Sequence, residues 1–269
     1  MTTTTYAAAY AQPPGRRYGL RQAARMEWIK LRSLRSTSYA LLLTAVGMTA
    51  TGVVTMANTK APHGAHKVAA FDPTNNVLAG VALGQLVIGV LGVLVMSGEY
   101  SSGTIRATLA AVPDRRLALA AKAGVFGGLA LLVGEVVTVG TFLAGRAALG
   151  AGVPHPSLDD PTVWRAVLMS GGYLAMVGLI GLGIGAVTRH TASAIGVLVG
   201  ITYVLPALLA GTTGTTVAKF FPTMIAGNSL AVTVPVDGML SPWAGLAVLC
   251  LYTAAFLTVG GRLLVRRDA

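Results

Sequence analysis

Few side chains in this 269-residue chain are placed to do chemistry. His63 and His66 stand three residues apart, with Asp72 beyond them. That set could offer two imidazole nitrogens and a carboxylate to a metal ion. They lie among Gly and Pro with no further ligand at hand, so a connecting loop accounts for them better, and the same holds for His155, Asp159 and Asp160. Cys250 is the only cysteine, which excludes an internal disulfide and a cysteine zinc cluster. No G-x-x-x-x-G-K-[ST] segment is present to cradle ATP phosphates, and neither a G-x-S-x-G elbow nor an H-E-x-x-H pair occurs. No catalytic residue, metal ligand or bound cofactor is expected in this chain, which is not read as an enzyme. Glu135 differs from the other carboxylates because it lies inside a long apolar run. An unpaired carboxylate costs roughly 2.5 kcal/mol or more in hydrocarbon, so it should face the bundle, water or a partner. Contact with a cationic substrate, a proton site and a gate are its functional readings; a hydrogen bond to a Thr or Tyr of another helix is the structural one.

The elements around these residues read as membrane helices. The chain is 54% hydrophobic and 11% charged, against about 25% charged in an ordinary soluble domain. Six apolar stretches, 39–57, 77–97, 123–144, 166–187, 192–210 and 243–264, each approach the roughly 20 residues that cross a bilayer as a helix. The fold class is therefore an all-α membrane protein of six transmembrane helices, with residues 1–17 a disordered tail and 18–269 one domain. The net charge is +11, and all 20 lysines and arginines except Lys60, Lys67, Arg146, Arg165 and Lys219 fall on the side of the N-terminus. The positive-inside rule puts that side, with both termini, in the cytoplasm and the protein in the cell membrane. The basic surplus faces anionic lipid, and no separate basic domain exists for nucleic acid.

Three connecting segments, and the spacing of small residues within the spans, carry further information. In 18–35, Leu20, Ala23, Ala24, Trp28, Leu31 and Leu34 recur at helical spacing beside Arg21, Arg25, Arg32 and Arg35. This predicts an amphipathic helix in the interface, the alternative being a solvated leader that fixes topology. Glu27 falls within its apolar stripe and needs a partner. In 98–122, Ser101, Ser102 or Thr104 could cap a short helix through residues 105–112; Pro113 stops it and Asp114 caps the next. Ile105, Leu109 and Val112 share a face of that helix, which either docks a soluble partner or rests on lipid. Residues 211–242 are of mixed character, with apolar residues interrupted by Pro222, Pro235 and Pro242, so they suit a re-entrant external segment between the fifth and sixth spans. Small residues pair four apart at Gly80 and Gly84, Gly124 and Gly128, Gly181 and Gly185, and Gly196 and Gly200, as in closely packed membrane helices.

Three of these segments resemble the permease subunits of ABC type-2 exporters, in an actinobacterial style. The matching residues are Glu27-Trp28-Ile29-Lys30-Leu31-Arg32-Ser33, then Gly98-Glu99-Tyr100-Ser101-Ser102-Gly103-Thr104-Ile105-Arg106 followed by Pro113, Asp114, Arg115 and Lys122. Leu240-Ser241-Pro242-Trp243 and Arg266-Arg267-Asp268 add to them. With the six spans, the similarity covers nearly the whole chain. The resemblance implies an N-terminal interfacial helix that touches an ATPase, at Glu27, Trp28, Lys30 and Arg32. It implies a cytoplasmic coupling helix between spans two and three, at Glu99, Gly103, Thr104, Ile105, Arg106, Leu109 and Pro113, docked in a separately encoded ATP-binding subunit. It also implies that ATP and Mg are bound by that partner, that two permeases, identical or sister chains, pair in the membrane, and that external re-entrant helices close an outer gate.

The expectation is thus a permease that, with its ATP-binding partner and surrounding lipid, exports a drug, peptide, lipid or other amphipathic cargo. Glu99 would anchor the base of the coupling helix, through Arg106 or a basic residue of the N-terminal helix. Two other classes fit the same features: a membrane scaffold or sensor partner that does not transport, and an ion-coupled carrier using Glu135.

Overall fold

The computed structural model describes residues 19–63 and 71–266, so the expected tail over 1–17, as well as His66, Arg267 and Asp268, lies outside the described residues. Among the described residues every regular element is helical. Helix α1, Leu20–Ser33, precedes the first span, α2, Arg35–Ala57. The second span, α3, is Pro73–Ser101, and a seven-residue helix, α4, Ile105–Ala111, follows it. The third and fourth spans are α5, Arg115–Ala147, and α6, Pro161–Thr188. The fifth, α7, Thr191–Thr213, contains a π-turn at Gly200–Val204. Two short helices follow, α8, Thr215–Ala218, and α9, Pro222–Ile225, the latter continuing as a π-turn over Ala226–Leu230. The sixth span is α10, Pro242–Arg266.

Six helices are therefore long and apolar enough to cross a membrane, where backbone groups must be bonded within the segment. Three of them, α3, α5 and α6, start a turn or more before the apolar stretches because an aspartate caps each outside the apolar run. Asp114 Oδ1 accepts from Arg116 N at 3.0 Å and Leu117 N at 3.2 Å, so α5 starts at Arg115 rather than 123. Asp160 Oδ1 does the same for α6, accepting from Thr162 N at 2.8 Å, with Pro161 in the first turn.

Helix α6 is the central post. It packs against α3, α5 and α10, and 78% of its apolar window is buried, against 22% for α2 and α7 and 17% for α10. Lipid gives no hydrophobic drive for helices to associate, so contact has to come from close approach of backbones. A Cβ at Gly92 would strike the backbone of Gly178, and one at Gly181 would strike that of Gly89. The expected pairs divide accordingly. Gly80 and Gly84 meet Met48 of α2, and Gly181 and Gly185 meet α3, whereas a Cβ at Gly124, Gly128, Gly196 or Gly200 would meet nothing within 4 Å. The first two pairs join helices within the chain, and the last two lie on open faces.

Connections gather at two ends. One end, here the basic end, holds α1, α4 and the α6–α7 turn at Arg189 and His190; the other holds 148–160 and the segment from α8 to Ser241. The glycine contacts yield a paired prediction. Gly92→Val wedges α3 from α6 and costs about 1–3 kcal/mol or more, whereas Gly128→Ala, on an open helical face, costs nothing. Thermal unfolding of the detergent-solubilised variants checks this, with a lowered midpoint expected for Gly92→Val alone.

Candidate functional site

Four charged side chains from three helices meet in one closed ring at the basic end. Glu27 and Lys30 are one turn apart on α1, on the face that also buries Ala23 and Leu31. Glu99 comes from the last turn of α3 and Lys122 from the third turn of α5. Lys30 Nζ lies 2.5 Å from Glu27 Oε1 and 2.5 Å from Glu99 Oε1. Lys122 Nζ lies 2.6 Å from Glu27 Oε2 and 2.8 Å from Glu99 Oε1. Each lysine thus touches both glutamates. The Glu27–Lys30 leg is a charge contact that misses hydrogen-bond geometry, while the other three legs are hydrogen bonds.

Burial decides the weight of this ring. Glu27 is 2% exposed, Lys122 4% and Glu99 9%. Taking such charges out of water costs several kcal/mol per ion, so each must find its opposite. Two acids and two bases make the set neutral. Burial pulls the Lys30 ammonium toward neutrality, but the close carboxylates of Glu27 and Glu99 outweigh it and hold its pKa above the ordinary lysine value. Lys30 therefore stays charged at neutral pH.

Helix α4 joins the ring through Thr108, whose Oγ1 accepts from Lys30 Nζ at 3.3 Å. Ile105, Thr108 and Val112 of this elbow turn inward, and Val112 packs with Ala23 of α1 and Ala118 and Ala121 of α5, with Leu109 beside them. Small alanines let the three elements sit close. The expected hydroxyl cap takes a different form. Thr104 occupies the cap position but its hydroxyl does not cap the helix and lies 2.9 Å from Ser102 Oγ, while Ser101 and Ser102 turn their hydroxyls back to Gly98 O at 3.1 and 2.8 Å. Gly98 O accepts both hydroxyls in addition to Ser102 N at 3.1 Å, so these donors go to the end of α3 rather than to the start of α4.

Gly103, Thr104, Arg106 and Pro113 stay exposed around α4, as do Trp28 and Arg32 on α1. Gly103 has φ +72°, the left-handed conformation that a glycine takes freely, and it forms the corner between α3 and α4. Arg106 is not in the ring; of the two partners anticipated for Glu99, the structure takes the basic residue of α1, Lys30, and adds Lys122. Two further arginines brace this end. Arg115 Nη1 donates to Leu264 O at 2.8 Å and Arg189 Nη2 to Leu263 O at 3.2 Å, satisfying carbonyls in the last turn of α10. Arg189, with φ 58°, also lies 5.2 Å over the Tyr100 ring.

At the opposite end Asp72 is a clasp. Its Oδ1 accepts from Thr74 N and Asn75 N at 3.0 and 3.1 Å, capping α3, and its Oδ2 accepts from Thr233 N and Val234 N at 2.5 and 3.1 Å. Arg165 Nη2 donates to the neighbouring Val232 O at 2.6 Å. Both oxygens of Asp72 are thus spent on backbone, and among the described residues no cluster suited to a metal ion occurs. Deeper, Tyr173 OH donates to Gln85 Oε1, Gln85 Nε2 to Thr223 Oγ1 at 3.2 Å, and Thr223 Oγ1 to Thr202 O within the π-turn of α7. This chain ties the segment after α8 to α3, α6 and α7, with Ile225 and Leu230 fully buried. Gln85, Tyr173 and Thr223 were not anticipated, although Gln85 is conspicuous as the one amide in its apolar run.

Glu135 belongs to neither group. It lies half-buried on α5 against Gly171 of α6, where a Cβ would meet its Cδ at 2.6 Å. Its Oε2 is enclosed without a hydrogen-bond partner among the described residues.

The model of the ABC-2 family transporter protein matches residues 23–207. The match contains all four ring residues, α4, and the spans from α2 to most of α7. A search of curated proteins found no significant match. The chain belongs to the ABC-2 transporter family, as a multi-pass membrane permease of an ABC transporter.

Proposed function

We propose that this permease serves an ATP-driven exporter in the cell membrane, with its basic end and both termini in the cytoplasm. The distribution of Lys and Arg supports that orientation. The exposed arc of α4, with Gly103, Thr104, Arg106 and Pro113, seats in a groove of a separate ATP-binding subunit, and Trp28 and Arg32 of α1 widen the same contact. That partner binds ATP and Mg; this chain supplies the path. A second permease, identical or a sister chain, completes the path for an amphipathic cargo, and the broad apolar faces of α2, α7 and α10 suit such a neighbour and lipid.

The observation that carries this reading is the buried ring. A displacement of α4 reaches Lys30 through Thr108, and from Lys30 it reaches α3 and α5 through Glu99 and Lys122. Interfacial helix, elbow and the roots of two spans therefore move together rather than slide. A scaffold would also expose α4, but ATP hydrolysis by its partner would not respond to cargo.

Two outcomes test this. Lys122→Met leaves two buried glutamates with one lysine and costs about 3–5 kcal/mol. Adding Glu27→Gln to it recovers part of that loss, measured as thermal midpoints in detergent. In the reconstituted complex, Gly103→Trp assembles with the ATP-binding subunit yet loses cargo-stimulated ATP hydrolysis. Wild-type stimulation in Gly103→Trp contradicts the coupling role of α4.

A further inference from the structure

At the basic end, α5 and α10 diverge around a groove of about 530 Å³. Leu119, Ala120 and Leu257 form its apolar wall, and Gly261 leaves its floor open, since a Cβ there would already touch Leu119 Cδ2 at 3.3 Å. Arg116 of α5 and Arg262 of α10 line the same groove, and both are exposed. Among the described residues no acidic side chain lines it. The nearest carboxylate in sequence, Asp114, is occupied in capping α5. The neighbouring arginine, Arg115, is turned to Leu264 O, so it fixes the two helices at this end while Arg116 is left to the groove.

Two guanidinium groups from different helices beside an apolar slot match one kind of occupant. The ligand must carry an anionic head and a hydrocarbon tail, and it must reach the slot from within the membrane. We propose that this groove binds an anionic phospholipid, its phosphate between Arg116 and Arg262 and an acyl chain along Leu119 and Leu257. Guanidinium forks suit phosphate oxygens, and basic pockets between membrane helices on the cytoplasmic side bind anionic headgroups. The volume falls within the range of about 300–1,000 Å³ typical of ligand sites. The inference rests on the chain's place in a membrane and is independent of what α4 docks into.

Native mass spectrometry of the full-length protein tests it, after equilibration with equal amounts of phosphatidylglycerol and phosphatidylcholine. The wild type retains phosphatidylglycerol selectively. Arg116→Gln with Arg262→Gln lowers that retention on the order of tenfold or more. Gly261→Leu, which fills the slot and keeps both charges, lowers it as well. Arg21→Gln with Arg25→Gln removes equal charge from the same end and leaves it unchanged. Equal retention in wild type and the Arg116/Arg262 variant overturns the proposal, as does equal loss in both double variants, which would mean diffuse attraction. A change of oligomeric state in place of lipid loss also overturns it, because a second copy of the chain would then be the occupant.

Discussion

Four charges held away from water set the terms for the whole basic end. Glu27, Lys30, Glu99 and Lys122 alternate in sign, and the two most deeply buried, Glu27 and Lys122, face each other at 2.6 Å. Glu99 is placed against its own helix, since a carboxylate in the last turn meets the negative end of the helix dipole. Nothing local favours it there. Its position makes sense only through the two lysines that come from other elements. A buried ionic set of this kind adds little net stability over a well-packed apolar one, but it tolerates few alternative arrangements. It fixes register between α1, α3 and α5, and α4 inherits that register through Thr108.

The membrane-embedded part follows a different rule. Its helices meet where side chains are absent, as at Gly92 against Gly178 and Gly181 against Gly89, so α6 becomes a post enclosed by α3, α5 and α10. The outer helices keep large apolar side chains outward, among them Leu42, Leu43 and Val46 on α2, Leu208 on α7 and Leu251 on α10. Rigid interior and open periphery suit the pairing proposed above. The clasp at Asp72 and the chain from Tyr173 to Thr202 hold the opposite end, so each end of the bundle has its own polar lock.

Much of this was legible in the residues. Apolar length revealed six spans, and Pro113 with Asp114 revealed where α4 stops and α5 starts, because breakers and caps act locally, whereas the Ser/Thr cap expected for α4 did not form. Glu27 announced itself by falling within an apolar stripe. Its partner Lys122 did not, since a lysine just before an apolar run reads as loop charge until α5 is seen to begin two turns earlier. Span ends were short for the same reason: capped polar turns extend helices without adding hydropathy. Gln85 and Tyr173 were hidden because one polar residue barely alters the average of a long apolar segment. The glycine pairs were half informative, since spacing shows that a face is smooth and not whether a helix lies on it. Asp72 looked like a loop or metal residue, whereas one of its oxygens caps α3 and the other accepts from backbone amides about 160 residues away, beyond any local pattern.

The central claim is that the ring makes interfacial helix and elbow a single body during turnover. Spin labels on the exposed positions Arg25 of α1 and Ala110 of α4 measure it most directly, in the reconstituted complex with and without trapped ATP. The account predicts the same interlabel distance and width in both states, while labels across the two permeases move. A nucleotide-dependent change between Arg25 and Ala110 would show that the charges do not hold these elements together, and would contradict it.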